Sequence, residues 1–429
     1  MTAVWRSRRG RAACLAVIFV SCVAPTRAHG HQATLLWDHG THTSPAPDER
    51  VLRELLAAYS AGDVEGAVRG VLAHPPRWIP AVLDGAVRRI DEEIRHHRRP
   101  ESRLGAAQDE RLERYLRADR LNVLLLAAAL QLEASLAAAD VAAAGQHVVD
   151  SERAIDSAYA LRADFERNGP VPWPVAIDEP WQSVTRDARE PQRFAAWPAV
   201  RDFVRRWYGA AVSRLQALVE LRLAPALVAR GLARFPADRD LLLARGSLVE
   251  TRFALGQVDS SLAAILYSPE IRQRWRGELS DAERDFEQAA HSAGLASEAA
   301  IRLARVRLLK GQQERAVDLL DRILARDPPG HLRYLTLLFR AAAAEQSGDA
   351  TAAIRHYEAA VDTIPAAQPP MLALGRIADE RNQPAVARKW VARALGAEMR
   401  AADPWRRYIQ GQAWQLGERL ASLRALEPQ

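Results

Sequence analysis

The sequence predicts an all-α fold, an α-solenoid of antiparallel helix pairs with a C-terminal capping helix, and three observations predict it. Ala282, Ala316, Ala353 and Ala387 are separated by 34, 37 and 34 residues. Each is followed at i+4 by a bulky apolar residue (Phe286, Leu320, Tyr357, Val391) and at i+7 by Ala289, Ile323, Ala360 or Ala394, so the set falls on one helical face. Turn formers punctuate the frames: Gly348-Asp349 opens one, and Pro328 and Pro365 close two. A fixed period of this length marks units too small to bury their own apolar face, which stack on their neighbours instead.

From the N-terminus, residues 1–28 read as a secretory signal. Arg6, Arg8, Arg9 and Arg11 precede an apolar run from Ala12 to Ala24, and Thr26-Arg27-Ala28 offers a small-x-small cleavage site. The run is shorter than the roughly 18–20 residues a spanning helix needs, so no transmembrane segment is expected after cleavage at Ala28. The chain is then expected to be exported, periplasmic or extracellular. A rival reading takes Phe19-Val20-Ser21-Cys22 as a lipobox, with Phe19 off pattern, and anchors the chain by lipid at Cys22. Cys14 and Cys22 both lie in this leader, so a mature chain has no disulfide, thiol chemistry or thiolate metal site.

Residues 29–47 form a tail with His29, His31, His39, His42 and Asp38; imidazoles this close suit a soft divalent metal, but no helical or strand period fixes a geometry. Residues 48–168 read as helices, the longest from Asp109 to Ala139 and apolar on every side around Val123–Leu130, which marks a buried helix. Residues 169–199 are a proline-rich connection in which Trp173, Trp181 and Trp197 argue for a loop packed along the array. The repeats occupy residues 200–398, interrupted by an insertion at 257–279, after which Ser280 and Glu283 form a capping-box signature. Residues 399–429 supply the cap: Asp403-Pro404-Trp405 is an N-cap with proline at the first helical position, and Tyr408, Trp414, Leu416, Leu420 and Leu423 line the helix behind it.

The stretch from Leu337 to Pro365 shows the repeat most fully: an alanine-rich helix, the break Ser347-Gly348-Asp349, then Ala353, Ile354, Tyr357, Ala360 and Val361 on one face. Leu374-Gly375 with Ala387, Val391 and Ala394 repeats the arrangement, while Asn382-Gln383-Pro384 replaces the glycine turn. Ala224, Val228, Gly231 and Pro236 suggest an earlier unit, and Gly62-Asp63 with Ala67 and Val71 is a distant echo. This combination resembles the tetratricopeptide repeat family, most closely over residues 280–396. The resemblance implies a right-handed superhelix whose concave surface, lined by the first helix of each pair, binds a protein or peptide. On these frames it places Asp240, Ser247, Glu250, Arg305, Glu345, Arg376 and Asp379 in the groove. Arg305 and Arg376 fall at equivalent positions and are suited to hold a carboxylate or a peptide terminus, or to bridge neighbouring repeats.

Charge narrows the partner. The chain is formally +6, but residues 1–28 hold five arginines and no acid, which leaves the mature chain near neutrality. Acids and bases alternate along the helices, as in Asp318, Asp321, Arg322 and Arg326, and on this count a nucleic-acid partner is not expected. No G-x-S-x-G, H-E-x-x-H, Walker-type or dinucleotide-type glycine motif occurs, so no enzyme activity and no cofactor are expected. Two functions remain. One is an exported scaffold that binds a protein or peptide; the other is an accessory protein whose tryptophan-rich loop or histidine cluster grips a small molecule, glycan or metal.

Overall fold

A computed structural model describes residues 49–75, 77–85, 88, 106–162, 197–218, 220, 222–258, 269–396 and 403–424, and among them every regular element is helical. The leader, the histidine tail and most of the proline–tryptophan connection, including Trp173 and Trp181, lie outside the described residues. The described residues fall into two compact units, one within residues 49–220 together with 415–424 and one within residues 222–414.

The first unit contains α1 (Glu49–Ser60), α2 (Val64–Leu72), α3 (Ala106–Ala137), α4 (Val141–Ala160) and α5 (Trp197–Ala217). Gly62 takes φ +96°, open only to a residue without a Cβ at low cost, and Asp63 then accepts from the Gly66 amide at 2.8 Å to start α2. The apolar run of α3 is long enough to cross a membrane, yet Leu124, Leu125, Ala127, Ala128 and Leu130 are buried, with α4 packed along the helix. Gln131 and Glu133, which interrupt the run, are paired inside the unit: Gln131 Oε1 with His147 Nδ1 at 2.6 Å and Glu133 Oε1 with Arg424 Nε at 2.7 Å. Ser151 Oγ donates to the Ala128 carbonyl at 2.5 Å and accepts from Trp207 Nε1 at 2.8 Å, tying α3, α4 and α5 together. Trp197, at the end of the tryptophan-rich stretch, is the first residue of α5 and sits edge-on to Tyr159, centroids 5.2 Å apart.

The second unit carries the four regularly spaced alanines. Its helices are α6 (Leu223–Arg234), α7 (Arg239–Val258), α8 (Pro269–Ala289), α9 (Ala296–Leu309), α10 (Gln313–Leu324), α11 (Gly330–Gln346), α12 (Ala350–Thr363), α13 (Gln368–Glu380) and α14 (Pro384–Gly396). They pack pairwise in succession, as a solenoid requires: α7 with α8, α9 with α10, α11 with α12, α13 with α14, and each pair on the next. Ala282, Ala316 and Ala353 are fully buried in the second helix of their pairs. Small residues on the first helices receive large ones from the second. A Cβ on Gly246 would lie 2.6 Å from the Phe286 ring, and one on Gly375 would lie 3.1 Å from Val391 Cγ2. The turn at Gly348 (φ +80°) is capped by Asp349, which accepts from the Ala352 amide at 2.9 Å; Asn382 (φ +57°) supplies the same left-handed step where glycine is missing.

Three boundaries differ from those the sequence suggests. Helix α8 begins at Pro269, eleven residues before the expected restart at Ser280. Ser280 is therefore mid-helix and its Oγ donates to the Arg276 carbonyl at 3.0 Å, while Glu283 receives Arg307 and Lys310 of α9 and its C-cap instead of capping anything. Helix α5, placed in the array from sequence, belongs to the first unit. The C-terminal stretch is helical but divided: α15 (Pro404–Ile409), a 3₁₀ turn at Ala413–Gln415 and α16 (Leu416–Arg424). Helix α15 falls in the second unit and α16 in the first, where it packs on α5 and Arg206 Nη1 donates to Ser422 Oγ at 2.7 Å.

Candidate functional site

In the second unit α7, α9 and α11, the first helices of three successive pairs, lie side by side, α9 touching both of the others, and make one face. The segment from Asp403 to Gln412 lies on this face. Asp403 starts α15 by accepting from the Trp405 amide at 2.9 Å, and it also accepts from Tyr334 Oη of α11 at 3.2 Å. Trp405 and Tyr408, one helical turn apart, stack with centroids 5.3 Å apart, and Phe339 of α11 meets both edge-on. Thr251 Oγ1 of α7 donates to the Ile409 carbonyl at 2.9 Å.

Beneath the aromatic stack lies an ionic cluster with almost no solvent access. Glu250 of α7 is 1% exposed; Oε1 accepts from Arg305 Nη1 at 2.8 Å and from Tyr408 Oη, and Oε2 accepts from Arg302 Nη1 at 3.0 Å. Arg302 Nε donates to Glu298 Oε1 at 3.0 Å, and its Nη2 donates to the carbonyls of Tyr408 at 3.0 Å and Gly411 at 3.4 Å. Its guanidinium carbon stands 4.2 Å from the Tyr408 ring centre, while that of Arg305 stands 5.0 Å from Trp405. Burial alone would lower both arginine pKa values, but the surrounding carboxylates outweigh it and hold both above the ordinary range. Burial, reinforced by Glu250, holds the Tyr408 hydroxyl well above the usual phenol range, so it stays a donor. Two carboxylates face two guanidinium groups, which is how this much charge is kept away from water.

A second, more open network sits two repeats along. Arg376 of α13 donates to Glu345 of α11 and to Glu380 Oε1 at 2.8 Å, and Tyr357 of α12 donates to Glu345 Oε2 at 3.0 Å. Burial lowers the Arg376 pKa, and Glu345 and Glu380 reverse that to a net rise. Glu380 keeps half of its side chain in solvent.

The expected groove residues thus divide. Ser247, Glu250 and Arg305 are buried: Ser247 Oγ donates to the Ala244 carbonyl at 2.9 Å, and the other two are committed to the cluster under α15. Glu250 and Arg305 lie below the surface because Trp405 and Tyr408 cover them. Asp240 is part-buried at the start of α7, and Asp379 is exposed at the end of α13. Glu345 and Arg376 pair with each other across successive repeats, with Glu380 rather than Asp379 as the second carboxylate. Arg302 is absent from the residues the repeat frame selects, although Glu298, Arg302 and Arg305 at i, i+4 and i+7 put acid and bases on one helical face. The sequence marks Trp405 only as part of the helix start Asp403-Pro404-Trp405, and Tyr408 only as a residue lining the cap helix. The histidine cluster and Trp173 and Trp181 fall outside the described residues, within which no group of three metal-ligating side chains is gathered.

No family model matches the chain, and no curated protein matches it. Among solved structures it is similar to a monomeric mutant of IFIT1 solved with Gppp-AAAA, at 14% identity and TM-score 0.36, covering 81% of this chain and 68% of that one. The human IFIT1 dimer with PPP-AAAA matches at 16% identity and TM-score 0.33 over 77% and 68% of the two chains. Yeast Tom70 matches at 10% identity and TM-score 0.31 over 87% and 81%. The two IFIT1 structures correct one expectation. They were solved with oligonucleotides, so the exclusion of nucleic acid from the near-neutral charge of the mature chain does not stand. A charge summed over a whole chain is blind to how charge is concentrated in one cavity.

Proposed function

We propose that this chain is an exported helical-repeat scaffold that engages a protein or peptide segment and performs no chemistry of its own. The observation that carries the reading is the seating of Asp403–Gln412 on the α7–α9–α11 face. That face receives a peptide segment of this chain by the means a peptide ligand needs. Arg302 takes backbone carbonyls, Thr251 takes another, and Phe339 and Arg305 receive an aromatic pair spaced at one helical turn. Export is supported by the arginine-led apolar leader of residues 1–28.

The test uses the full mature chain carrying Trp405→Ala and Tyr408→Ala, which empties the face in cis. A fluorescent peptide of sequence Asp403–Gln412 is expected to bind this variant in trans, and to bind it at least about tenfold better than the unaltered chain, whose own segment competes. Adding Arg302→Ala should abolish binding. Equal affinity for variant and parent, or none for either, would remove the peptide reading. Export is checked by sequencing the N-terminus of the secreted or periplasmic protein, with His29 expected first.

A further inference from the structure

The last helix of the array presents a side that every earlier second helix has covered. Ala353, Tyr357, Ala360 and Val361 of α12 correspond to Ala387, Val391, Ala394 and Leu395 of α14, at a constant offset of 34 residues. Tyr357 is 2% exposed and Val361 1%, in a core shared with Met371 and Leu374 of the following helix, α13. On α14 the equivalent Val391 is 38% exposed and Leu395 is 76% exposed. The stripe differs in charge as well. Ile354, packed against the same core, is replaced by the exposed Arg388, and α14 carries Arg388, Lys389 and Arg393 with no acid along its length. Among the described residues no carboxylate pairs with Arg388 or Lys389.

We propose that this side of α14 is a docking surface for an amphipathic helix of another protein, one with an acidic margin beside its apolar stripe. Two independent features select that occupant. The register continues an interface already built between α10 and α11 and between α12 and α13, so the shape presented is the one that receives a helix. The uniformly basic helix favours a carboxylate-bearing partner and disfavours a second copy of α14, which would set Arg388 against like charge. The surface is distinct from the α7–α9–α11 face, so each can fail without the other.

The experiment uses the full chain and two stapled helical probes. Both keep the apolar register of α13 (Met371, Leu374, Ile377, Ala378), one with glutamate and one with lysine at the remaining positions. The glutamate probe is expected to bind in fluorescence anisotropy and to weaken as salt rises. Leu395→Glu should weaken it about tenfold or more, the loss of one buried leucine, and Arg388→Glu by about threefold to tenfold. Leu395 is exposed, so circular dichroism melts should show both variants folded. The proposal is overturned if the lysine probe binds as well, or if Leu395→Glu leaves binding unchanged. It is equally overturned if Leu395→Glu instead abolishes a concentration-dependent dimer in light scattering or co-sedimentation with phosphatidylglycerol vesicles.

Discussion

Arg305 and Arg376 occupy equivalent places in their repeats, yet one lies under a lid of aromatic rings and the other at a half-open seam between helices. Both bind carboxylates of this chain. Arg305 shares Glu250 with Arg302 and Tyr408, and Glu250 is 1% exposed; Arg376 shares Glu345 and Glu380, the latter 50% exposed. The repeat frame assigns the position, and the C-terminal segment assigns the environment. A charge pair near water is worth little because water competes for both ions, whereas the same pair under Trp405 and Tyr408 cannot lose one member without stranding the other.

This contrast is sharpest at Glu250. Glu250→Ala leaves Arg302 and Arg305 buried with one carboxylate fewer, and should cost about 3–5 kcal/mol in urea denaturation. A cost under about 1 kcal/mol would show that burial is not what separates the two sites. Tyr408→Phe keeps the stack and removes only the hydroxyl that donates to Glu250; about 1–2 kcal/mol is expected, with no change in salt dependence. Arg376→Ala should cost about 1 kcal/mol or less and lose part of that in molar salt, where Arg305→Ala should not.

The smallest effect sits at Glu283. Burial alone would raise its pKa, but Lys310 and Arg307 outweigh it and hold the carboxyl below its ordinary value of 4.5. The folded state therefore releases this proton more readily than the unfolded chain. Its contribution is present above about pH 4.5 and lost as pH falls through the folded value. The stability difference between the parent and Glu283→Gln should shrink on acidification from pH 6 to below about pH 4; one that grew instead would reverse the sign assigned to this ion pair.

The sequence revealed the array through its most local rule. Alanines at 282, 316 and 353, the capping aspartates at 63 and 349 and the left-handed turns are set by neighbours a few residues away, and each stands where its pattern puts it. Misreadings came where distant parts of the chain meet. Ser280 and Glu283 satisfy a local capping pattern, yet Pro269 begins the helix and Glu283 serves α9. The repeat frame selects Glu250 and Arg305, but their burial depends on Tyr408, 158 and 103 residues further along. No period or motif encodes that a C-terminal helix will turn back over the first helices. Arg302 escaped notice for the same reason, because a charged residue on an amphipathic helix reads as solvated until its cover is known.

The same long-range closure sets an order of events in time. Glu250 and Arg302 meet Tyr408 across 158 and 106 residues, so during synthesis α7 and α9 emerge long before the groups that cover them. Until then their charges remain hydrated, and the helix pairs can stack through local contacts alone. Covering the cluster closes a loop of 158 residues and expels water from it, a late step in folding on this argument. Contacts made after the folding barrier govern how fast the native state is lost rather than how fast it forms. Tyr408 and Trp405 therefore act as a latch on lifetime: Tyr408→Ala should accelerate unfolding in stopped-flow denaturant jumps while leaving refolding of the helix pairs nearly unchanged.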